Sequence, residues 1–451
     1  MKKIATLLLT AMVTMTVASC TPKDPGTTTT GTTTAGGTTT AGGTTTAGEV
    51  TDPKATITVQ AEETWMPYYE KAVARVKEKY PESTVELVEV GAFPNLDTID
   101  ATDASNADVP DVFAVPADRL PSMINKEALT PMSAAAMAEA IGGYEDFESI
   151  GSILKDGEDY LAFPMNIETL ITFVNPVNAE AMNVDLSKPY EIKDQEANEL
   201  AVESFNAWFG VALTNAAGIE LLAKDGDQFV TDMTKDWADL EPAKQTVITE
   251  IYNYWKRAYT DSPALWDEDT AGAQITEQFK DGGNVVFKID GPWGTPGLVE
   301  EIPSLDVLPL SYITIDGAPL KQWQGVWGLG INSRNEGDDA KMTLAQEFIV
   351  ELLNPEFAED FFAVTGKIMP NVTAETYEGT DLSEIQKKTI TATIESFKTS
   401  ENRPLFSEWG GVWDTWKNAL LSWNATNPAS AEEAYQAIKD SFTAMMGDLG
   451  Q

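Results

Sequence analysis

Tryptophan and histidine usage together limit the chemistry open to this chain. Twelve tryptophans but no histidine occur among its 451 residues. Without histidine, Ser-His-Asp and Cys-His nucleophile systems, histidine-containing metal sites and an imidazole pH switch are all excluded. Enzymatic chemistry would have to depend on carboxylates, lysine or tyrosine. The tryptophans can supply a hydrophobic core or flat surfaces that bind a ligand.

Four of the tryptophans lie in one C-terminal stretch at helical spacing. Trp409, Trp413, Trp416 and Trp423 fall within a stripe about 80° wide at about 100° per residue. A stripe of this kind normally packs into a core, and we interpret Trp416 and Trp423 in this way. Trp409 and Trp413 are candidates for a binding site.

The charge balance is strongly acidic. The chain has 30 basic and 71 acidic side chains, which gives a formal net charge of −41. A body with this charge repels phosphate backbones and anionic lipid surfaces, so nucleic acid is disfavoured as a partner. The ordinary interpretation of the charge is solubility, and the alternative is a cationic ligand.

The N-terminus has the features of a lipoprotein signal peptide. Two lysines precede an apolar stretch from Ile4 to Val17, and small residues lead to Cys20, the only cysteine. The stretch is shorter than the roughly 20 residues that span a bilayer. We therefore expect residues 1–20 to be a signal peptide and Cys20 to carry a lipid. A single cysteine also excludes disulfides within the chain.

The segment after the signal, residues 21–53, is rich in threonine and glycine and repeats GGTTTA. Such a segment cannot bury enough apolar surface to offset its ordering entropy. About 30 flexible residues have a root-mean-square span of roughly 30 Å. We expect a flexible linker that holds a folded body outside the cell membrane, on its outer face or facing a periplasm.

The remaining chain of about 400 residues is long enough for two lobes. Strands alternate with helices, which predicts an α/β architecture. The predicted strands are 55–61, 84–90, 110–116, 171–175 and 284–289, and the main predicted helices are 66–80, 246–259 and 340–354. The strand at 110–116 is continuously apolar, as is typical of a strand buried on both faces of a parallel sheet.

Four stretches, in order, resemble the extracellular solute-binding proteins of ABC importers, the maltose/maltodextrin-binding type in particular. They are DVPDVFAVPADRL (108–120), LAFPMNIETLITFVN (161–175), QFKDGGNVVFKIDGPWG (278–294) and RPLFSEWGGVWDTWKNAL (403–420). QGVWGLGINS (324–333) matches a further strand of that family. The GPW element is the most specific single motif, and the order and spacing of the set are stronger than any member.

The resemblance implies a two-lobed, type II periplasmic-binding-protein-like fold that closes around its ligand by hinge motion. Three crossovers are expected, near Ile167, near Leu308–Ser311 and near Thr365–Pro370. The implied lobes are an N-terminal lobe of 54–166 plus 311–366 and a C-terminal lobe of 167–310 plus 367–451.

The resemblance also implies a carbohydrate ligand. A sugar presents apolar C–H patches and a rim of hydroxyls, so it needs flat aromatic platforms and planar polar partners. The candidate ligand-binding residues on this basis are Glu63, Trp65, Asp118, Arg119, Glu168, Phe205, Trp208, Trp293, Trp323, Trp409, Trp413 and Lys417. At Phe205 and Trp208 the register is ambiguous by one or two residues.

Two positions depart from the family pattern. The stacking tryptophan that the family has just before its Asp-Arg pair is Val115 here, and its first-loop lysine is Thr64. One platform and one donor are therefore missing, which argues against a pocket identical to the maltodextrin one.

The predicted function is that of a monomeric, lipid-anchored receptor. It would capture an oligosaccharide such as a maltodextrin-like sugar and deliver it to the permease subunits of an ABC transporter, without catalysis, cofactor or metal. Three alternatives remain open: a binding protein for a cationic solute such as a polyamine, a surface adhesin or sensor, and a carboxylate-based glycosidase. The last would pair Glu168 with Glu63 or Asp414 across a scissile bond.

Overall fold

The computed structural model describes residues 51–195, 198–226 and 228–450. Thr51–Gln451 forms one compact unit. The predictions of a signal peptide, of a lipid on Cys20 and of a linker up to residue 50 concern residues outside the described part. No helix in the described ranges has the length and apolar character needed to cross a membrane.

Sixteen strands occur in the described residues. They are β1 Thr56–Ala61, β2 Thr84–Glu89, β3 Val112–Pro116, β4 Lys155–Asp156, β5 Asp159–Tyr160, β6 Ala162–Glu168, β7 Ile171–Val174, β8 Tyr190–Glu191, β9 Leu200–Ala201, β10 Ala223–Asp225, β11 Gln228–Val230, β12 Phe287–Asp290, β13 Asp306–Pro309, β14 Ile313–Ile315, β15 Ala318–Pro319 and β16 Gly325–Ile331.

Seventeen α-helices occur in the same part of the chain. They are α1 Met66–Lys79, α2 Ala92–Ala101, α3 Leu120–Asn125, α4 Ala134–Ile141, α5 Glu148–Gly151, α6 Pro176–Met182, α7 Ala207–Thr214, α8 Pro242–Asp261, α9 Ala271–Phe279, α10 Thr295–Glu301, α11 Asp339–Leu352, α12 Ala358–Thr365, α13 Ala374–Glu378, α14 Glu384–Thr399, α15 Gly410–Leu421, α16 Trp423–Thr426 and α17 Ala431–Asp448.

The first sheet has the strand order β2-β1-β3-β16-β6. Its central strand β3 is buried along its whole length, as its apolar sequence predicts. The sheet is mixed rather than parallel, because β1 runs parallel to β3 while β16 runs antiparallel to it. A parallel neighbour requires a long crossover, usually a helix. Strand β16 instead follows the strands of the second sheet in the chain and pairs antiparallel with β3.

The second sheet has the strand order β13-β7-β12-β9. Strand β7 lies antiparallel to both β12 and β13, and β9 runs parallel to β12. Each sheet has its own core. Apolar side chains of α1, α11 and α12 pack on the first sheet, and those of α8, α9, α15 and α17 pack with the second. The mixed α/β architecture is confirmed.

Trp416 and Trp423 are fully buried in the core of the second sheet, as interpreted from the sequence. The indole N–H of Trp416 donates to the Ser204 carbonyl over 2.8 Å. Trp423 stacks on Trp266, with ring centroids 6.1 Å apart. These rings attach the C-terminal helices to the second sheet.

The connections between the two sheets differ in part from the implied crossovers. Near the end of β6, the Ile167 N–H donates to the Ile368 carbonyl over 3.0 Å. Ile313 and Leu320 pack in the second core, whereas Ile368 and Tyr377 pack in the first. We therefore propose that the second crossover lies just before β16 rather than at 308–311, and that the N-terminal lobe extends past residue 366.

Candidate functional site

A cavity of about 1050 Å³ is lined by residues from the elements of both sheets. On the first sheet it lies at the edge where β3 and β6 end, which is where ligands of open α/β sheets bind. Asp118 and Arg119 follow β3 directly, and Glu168 ends β6. Trp327 lies at the same edge because β16 runs the other way and pairs it with Pro116.

Five residues on the side of the first sheet form what we call the first wall: Glu62, Trp65, Glu168, Trp327 and Lys367. The Lys367 ammonium lies 5.0 Å from the ring centroid of Trp65 and 4.7 Å from that of Trp327. Both distances are within the range of cation–π attraction. The first wall is therefore an aromatic pair with a cation between its rings.

Local backbone geometry fixes Lys367 in this position. Helix α12 ends at Thr365, and its C-cap, Gly366, adopts a left-handed conformation with φ of +66°. The Lys367 N–H then donates to the Thr365 hydroxyl over 3.1 Å, and the next residue, Ile368, bridges to Ile167. A glycine in this conformation allows the chain to leave the helix abruptly and carry Lys367 back to the cavity.

The Lys367 ammonium has no close counter-ion. The residue is 9% exposed, and among the described residues only the charges of Glu168 and Glu62 act on it, neither through a hydrogen bond. Burial lowers its pKa, and the negative charges of Glu168 and then Glu62 oppose this effect. The two carboxylates are therefore near enough to act on the charge without pairing with it.

The opposite side, which we call the second wall, consists of Trp208, Trp293, Arg403, Trp409 and Trp413. Trp409 and Trp413 pack edge to face with ring centroids 4.8 Å apart, and Trp323 packs edge-on against Trp409 at 4.7 Å. Such edge-to-face contacts are the preferred geometry for aromatic pairs. The second wall is a block of interlocked indoles.

Arg403 connects the second wall to Asp118, which follows β3 of the first sheet. Its guanidinium bonds Asp118 over 2.7 Å, and both side chains are largely buried. The same guanidinium lies 5.0 Å from the Trp208 ring centroid and 5.7 Å from that of Trp413. The second oxygen of Asp118, Oδ1, is buried and has no hydrogen-bond partner among the described residues.

Trp293 is the most exposed tryptophan of the cavity, at 37%. Its indole folds back over Gly291, where a Cβ atom would overlap the ring. Gly366 also approaches this turn, since a Cβ there would lie 3.1 Å from the Trp293 Cα. The glycine of the GPW motif is therefore required by the position of its tryptophan.

Eight of the twelve candidate residues line the cavity. They are Trp65, Asp118, Arg119, Glu168, Trp208, Trp293, Trp409 and Trp413. Trp323 does not line it and instead supports Trp208, Trp409 and Trp413 by edge-on ring contacts.

Three candidates lie elsewhere. Glu63 is exposed outside the cavity, which its neighbours Glu62 and Thr64 line. Phe205 is 1% exposed and packs against Trp266, because it precedes the N-cap of α7 and points into the core. Lys417 forms ion pairs with Glu268 and Asp414 and, with Phe205, borders a separate cavity of about 170 Å³.

Comparisons with known proteins agree with this architecture. The maltooligosaccharide ABC transporter solute-binding lipoprotein of Streptococcus pneumoniae is 25% identical over 406 residues, covering 87% of this chain and 90% of the relative. The diacetylchitobiose binding protein DasA of Streptomyces coelicolor is 25% identical over 323 residues, or 69% of this chain and 71% of the relative. No family model matches the chain.

Solved structures show the same fold. MalX of Streptococcus pneumoniae in complex with maltopentaose superposes with a TM-score of 0.66 at 20% identity, covering 87% of this chain and 100% of MalX. MalE of Listeria monocytogenes in complex with maltose gives 0.63 at 18% identity, over 87% and 98%. The fold is that of the maltose-binding proteins. The resemblance to solute-binding proteins of ABC importers, indicated by the motifs, is confirmed.

Sequence reasoning missed four residues of the two walls: Glu62, Trp327, Lys367 and Arg403. Trp327 lies within the matched strand QGVWGLGINS, Lys367 lies in the expected third crossover, and Arg403 opens the last matched stretch. These last three residues therefore lie in stretches that the sequence marks as family motifs or as a crossover, and Glu62 lies next to the candidate Glu63. A search of those stretches for every aromatic or cationic residue, rather than for family positions alone, would have found all three.

Proposed function

We propose that this protein captures a neutral oligosaccharide of the maltodextrin class between the two walls and delivers it to the permease subunits of an ABC transporter. The observation that carries the proposal is the cavity, which has indole rings on both sides and polar side chains between them. Aromatic faces match the apolar faces of pyranose rings, and carboxylates and cations match their hydroxyls. The named ligands of the relatives support the same class.

The size of the cavity favours an oligosaccharide over a single sugar. Its volume of about 1050 Å³ is at the top of the range of roughly 300–1,000 Å³ that is typical of small-molecule sites. Indoles from β16 and from the start of α15 lie on opposite sides of it. Several platforms in one cavity allow successive sugar rings to be bound.

The charges that line the cavity argue against a polyamine. A polyamine site needs an excess of carboxylates around its aromatic rings. The cavity has three carboxylates and three cations: Glu62, Asp118, Glu168, Arg119, Lys367 and Arg403. The strongly acidic net charge is therefore not concentrated at the site, and a neutral ligand fits better.

Thermal unfolding in the presence of sugars tests the proposal. A ligand that binds only the folded state raises the free energy of unfolding by about 2.7 kcal/mol when its concentration is 100 times its Kd. We expect maltopentaose to raise the unfolding temperature and spermidine to have no effect. Diacetylchitobiose is the comparison sugar. No shift with any of these sugars at millimolar concentration would refute carbohydrate capture.

We also propose that the protein is a receptor and not an enzyme, as its relatives are transporter binding proteins. Incubation with maltopentaose followed by chromatography should return the intact sugar. The appearance of shorter products would contradict this proposal and support the glycosidase alternative, with Glu168 as a candidate carboxylate.

Delivery to a permease requires that the receptor stay near the membrane. We propose that Cys20 carries a lipid that anchors a monomer outside the cell membrane, through the segment 21–53. The substitution Cys20→Ser should release the protein from the membrane fraction. Deleting the linker should leave maltopentaose binding intact and reduce uptake, because a short tether restricts the reach of the receptor.

A further inference from the structure

We propose that Trp327 and Lys367 replace the aromatic platform and the cationic donor that the family has at the positions of Val115 and Thr64. This inference rests on the proposed function and specifies how the first wall holds a sugar. The two residues come from β16 and from the crossover after α12, and they meet at the cavity.

The aromatic platform lies on β16 here, instead of on the neighbouring strand β3, which contains Val115. Val115 is fully buried in the core beside β3 and does not line the cavity. Trp327 lies on the adjacent strand β16, in register with Pro116, the residue after Val115. Its indole lines the cavity and packs edge-on against Phe93, with ring centroids 5.5 Å apart. An aromatic face is thereby restored next to the position that lost one.

The cationic donor comes from the third crossover here, whereas the family has it in the first loop. Thr64 lines the cavity but has no charge, whereas its neighbour Trp65 has the Lys367 ammonium 5.0 Å from its ring centroid. Lys367 therefore places a positive charge beside the first loop from a position about 300 residues later in the chain.

Two donors of the first wall lack an acceptor. In the described residues, Glu168 and Glu62 act on the Lys367 ammonium by charge without a hydrogen bond, and the buried indole N–H of Trp327 has no hydrogen-bond partner. Buried donors without partners are costly and rare in native proteins. A ligand that offers oxygen acceptors at this wall would satisfy both.

The surrounding charges specify which ligand this is. Glu168 and Glu62 act on the Lys367 charge from longer range and leave the three groups with a net charge of −1. A carboxylated sugar would bring a further negative charge, so the wall favours a neutral one. Its hydroxyls can accept from Lys367 and Trp327 and donate to Glu168, while its C–H face covers an indole.

Calorimetric titration with maltopentaose tests the inference. We expect Lys367→Met and Trp327→Leu each to weaken binding at least tenfold, and Trp327→Phe, which keeps a ring, to weaken it less. Lys417→Met and Trp237→Leu are matched controls, since Lys417 is paired outside the cavity and Trp237 packs on Tyr435. Both controls should bind as the wild type does.

A rescue variant tests the replacement itself. Adding Thr64→Lys to Lys367→Met should restore most of the lost affinity, because it returns a cation to the first loop. A purely structural role of Lys367 in holding the two indoles predicts no such recovery. Absence of rescue would overturn the replacement of the donor.

The outcomes separate this inference from the proposed function. If the wild type binds maltopentaose and the Lys367 and Trp327 variants bind it equally well, the inference is wrong and the proposed function stands. If the wild type binds no sugar, both are wrong. If Trp327→Leu fails to fold, the comparison of wild type with Trp327→Phe and Lys367→Met decides.

Discussion

Each wall of the cavity holds one buried cation, but the two cations are held differently. Arg403 of the second wall is bonded to Asp118 and lies over the rings of interlocked tryptophans. Lys367 of the first wall lies over two indoles, and in the described part of the chain Glu168 and Glu62 act on it by charge without a hydrogen bond.

This difference distinguishes a residue that stabilises the site from a residue that is available to bind the ligand. Removing one partner of a buried ion pair is strongly destabilising because it leaves the other charge uncompensated. A buried cation without a partner costs stability and keeps its donors free. We infer that Arg403 organises the site and that Lys367 is available to the ligand. Substitutions of these two residues should therefore have opposite effects on stability.

The largest expected effect is that of Arg403→Met. The substitution leaves the buried carboxylate of Asp118 unpaired and removes the guanidinium from three indole rings. We expect it to lower the free energy of unfolding by about 3 kcal/mol, at the lower end of the range for a broken buried pair. Urea unfolding followed by circular dichroism measures this loss.

The control for Arg403→Met is Lys417→Met. Lys417 is also paired with carboxylates, but both of its partners are mostly exposed. Pairs of this kind contribute about 0–1 kcal/mol. Equal losses for the two variants would show that Arg403 has no special role in the second wall.

An intermediate effect is expected for Gly291→Ala. The new methyl group would overlap the Trp293 ring and displace the platform from the second wall. We expect about a fivefold loss of maltopentaose affinity, or about 1 kcal/mol, measured by calorimetry. Gly297→Ala, whose Cβ would meet no atom within 4 Å, is the matched control and should bind normally.

Lys367→Met should have the opposite sign to Arg403→Met in the unfolding experiment. It removes a buried charge that has no ion pair, and methionine occupies a similar volume among the indoles. We expect the variant to be at least as stable as the wild type while it binds sugar more weakly. A loss of stability above about 1 kcal/mol would mean that Lys367 holds the first wall together.

The smallest expected effect is the pH dependence of the difference in stability between Lys367→Met and the wild type. The native-state pKa of Lys367 is lowered from its ordinary value of 10.5, mainly by burial. As pH rises through this lowered pKa, the native state loses the proton before the unfolded state does, so the wild type gains stability up to about pH 10.5. The advantage of Lys367→Met should shrink over this window.

Sugar affinity should change in the opposite direction over the same window, because the neutral amine is a weaker donor than the ammonium. Glu168 and Glu62 are the charged groups that act on Lys367. Calorimetry of the wild type between pH 7 and pH 10 measures this change. A constant affinity would indicate that the ligand does not contact Lys367.

The helices and the second wall were largely predictable from the sequence because their signals are local. The apolar periodicity of α1 and the spacing of the tryptophans in α15 are visible within one stretch. The predicted helix 66–80 agrees with Met66–Lys79 to one residue at its C-terminal end. Trp409 and Trp413 line the cavity and Trp416 does not, a difference that the helical spacing alone does not predict and that was expected only from the family motif.

The first wall was much less predictable because it is assembled by tertiary contacts. Lys367 is a single lysine after a glycine, with no periodicity around it. The bridge between Ile167 and Ile368 and the register of β16 on β3 contribute to bringing it to Trp65 and Trp327.

The error at Phe205 has a different physical cause. Phe205 and Trp208 lie on either side of the N-cap Asn206, whose side chain accepts from the Trp208 N–H. The cap turns the chain, so Phe205 enters the core while Trp208 faces the cavity. Phe205 and Trp208 are only three residues apart, and the aromatic pattern alone does not indicate which of them faces the cavity.

The central claim is that both walls contact one oligosaccharide, and titration with maltopentaose of Trp65→Leu, Trp413→Leu and the double variant tests it most directly. Each single substitution removes one platform and should weaken binding about tenfold, and the double variant should give no measurable heat at the same concentrations. Full affinity in either single variant, with circular dichroism unchanged, would show that its wall does not contact the sugar and would contradict the claim.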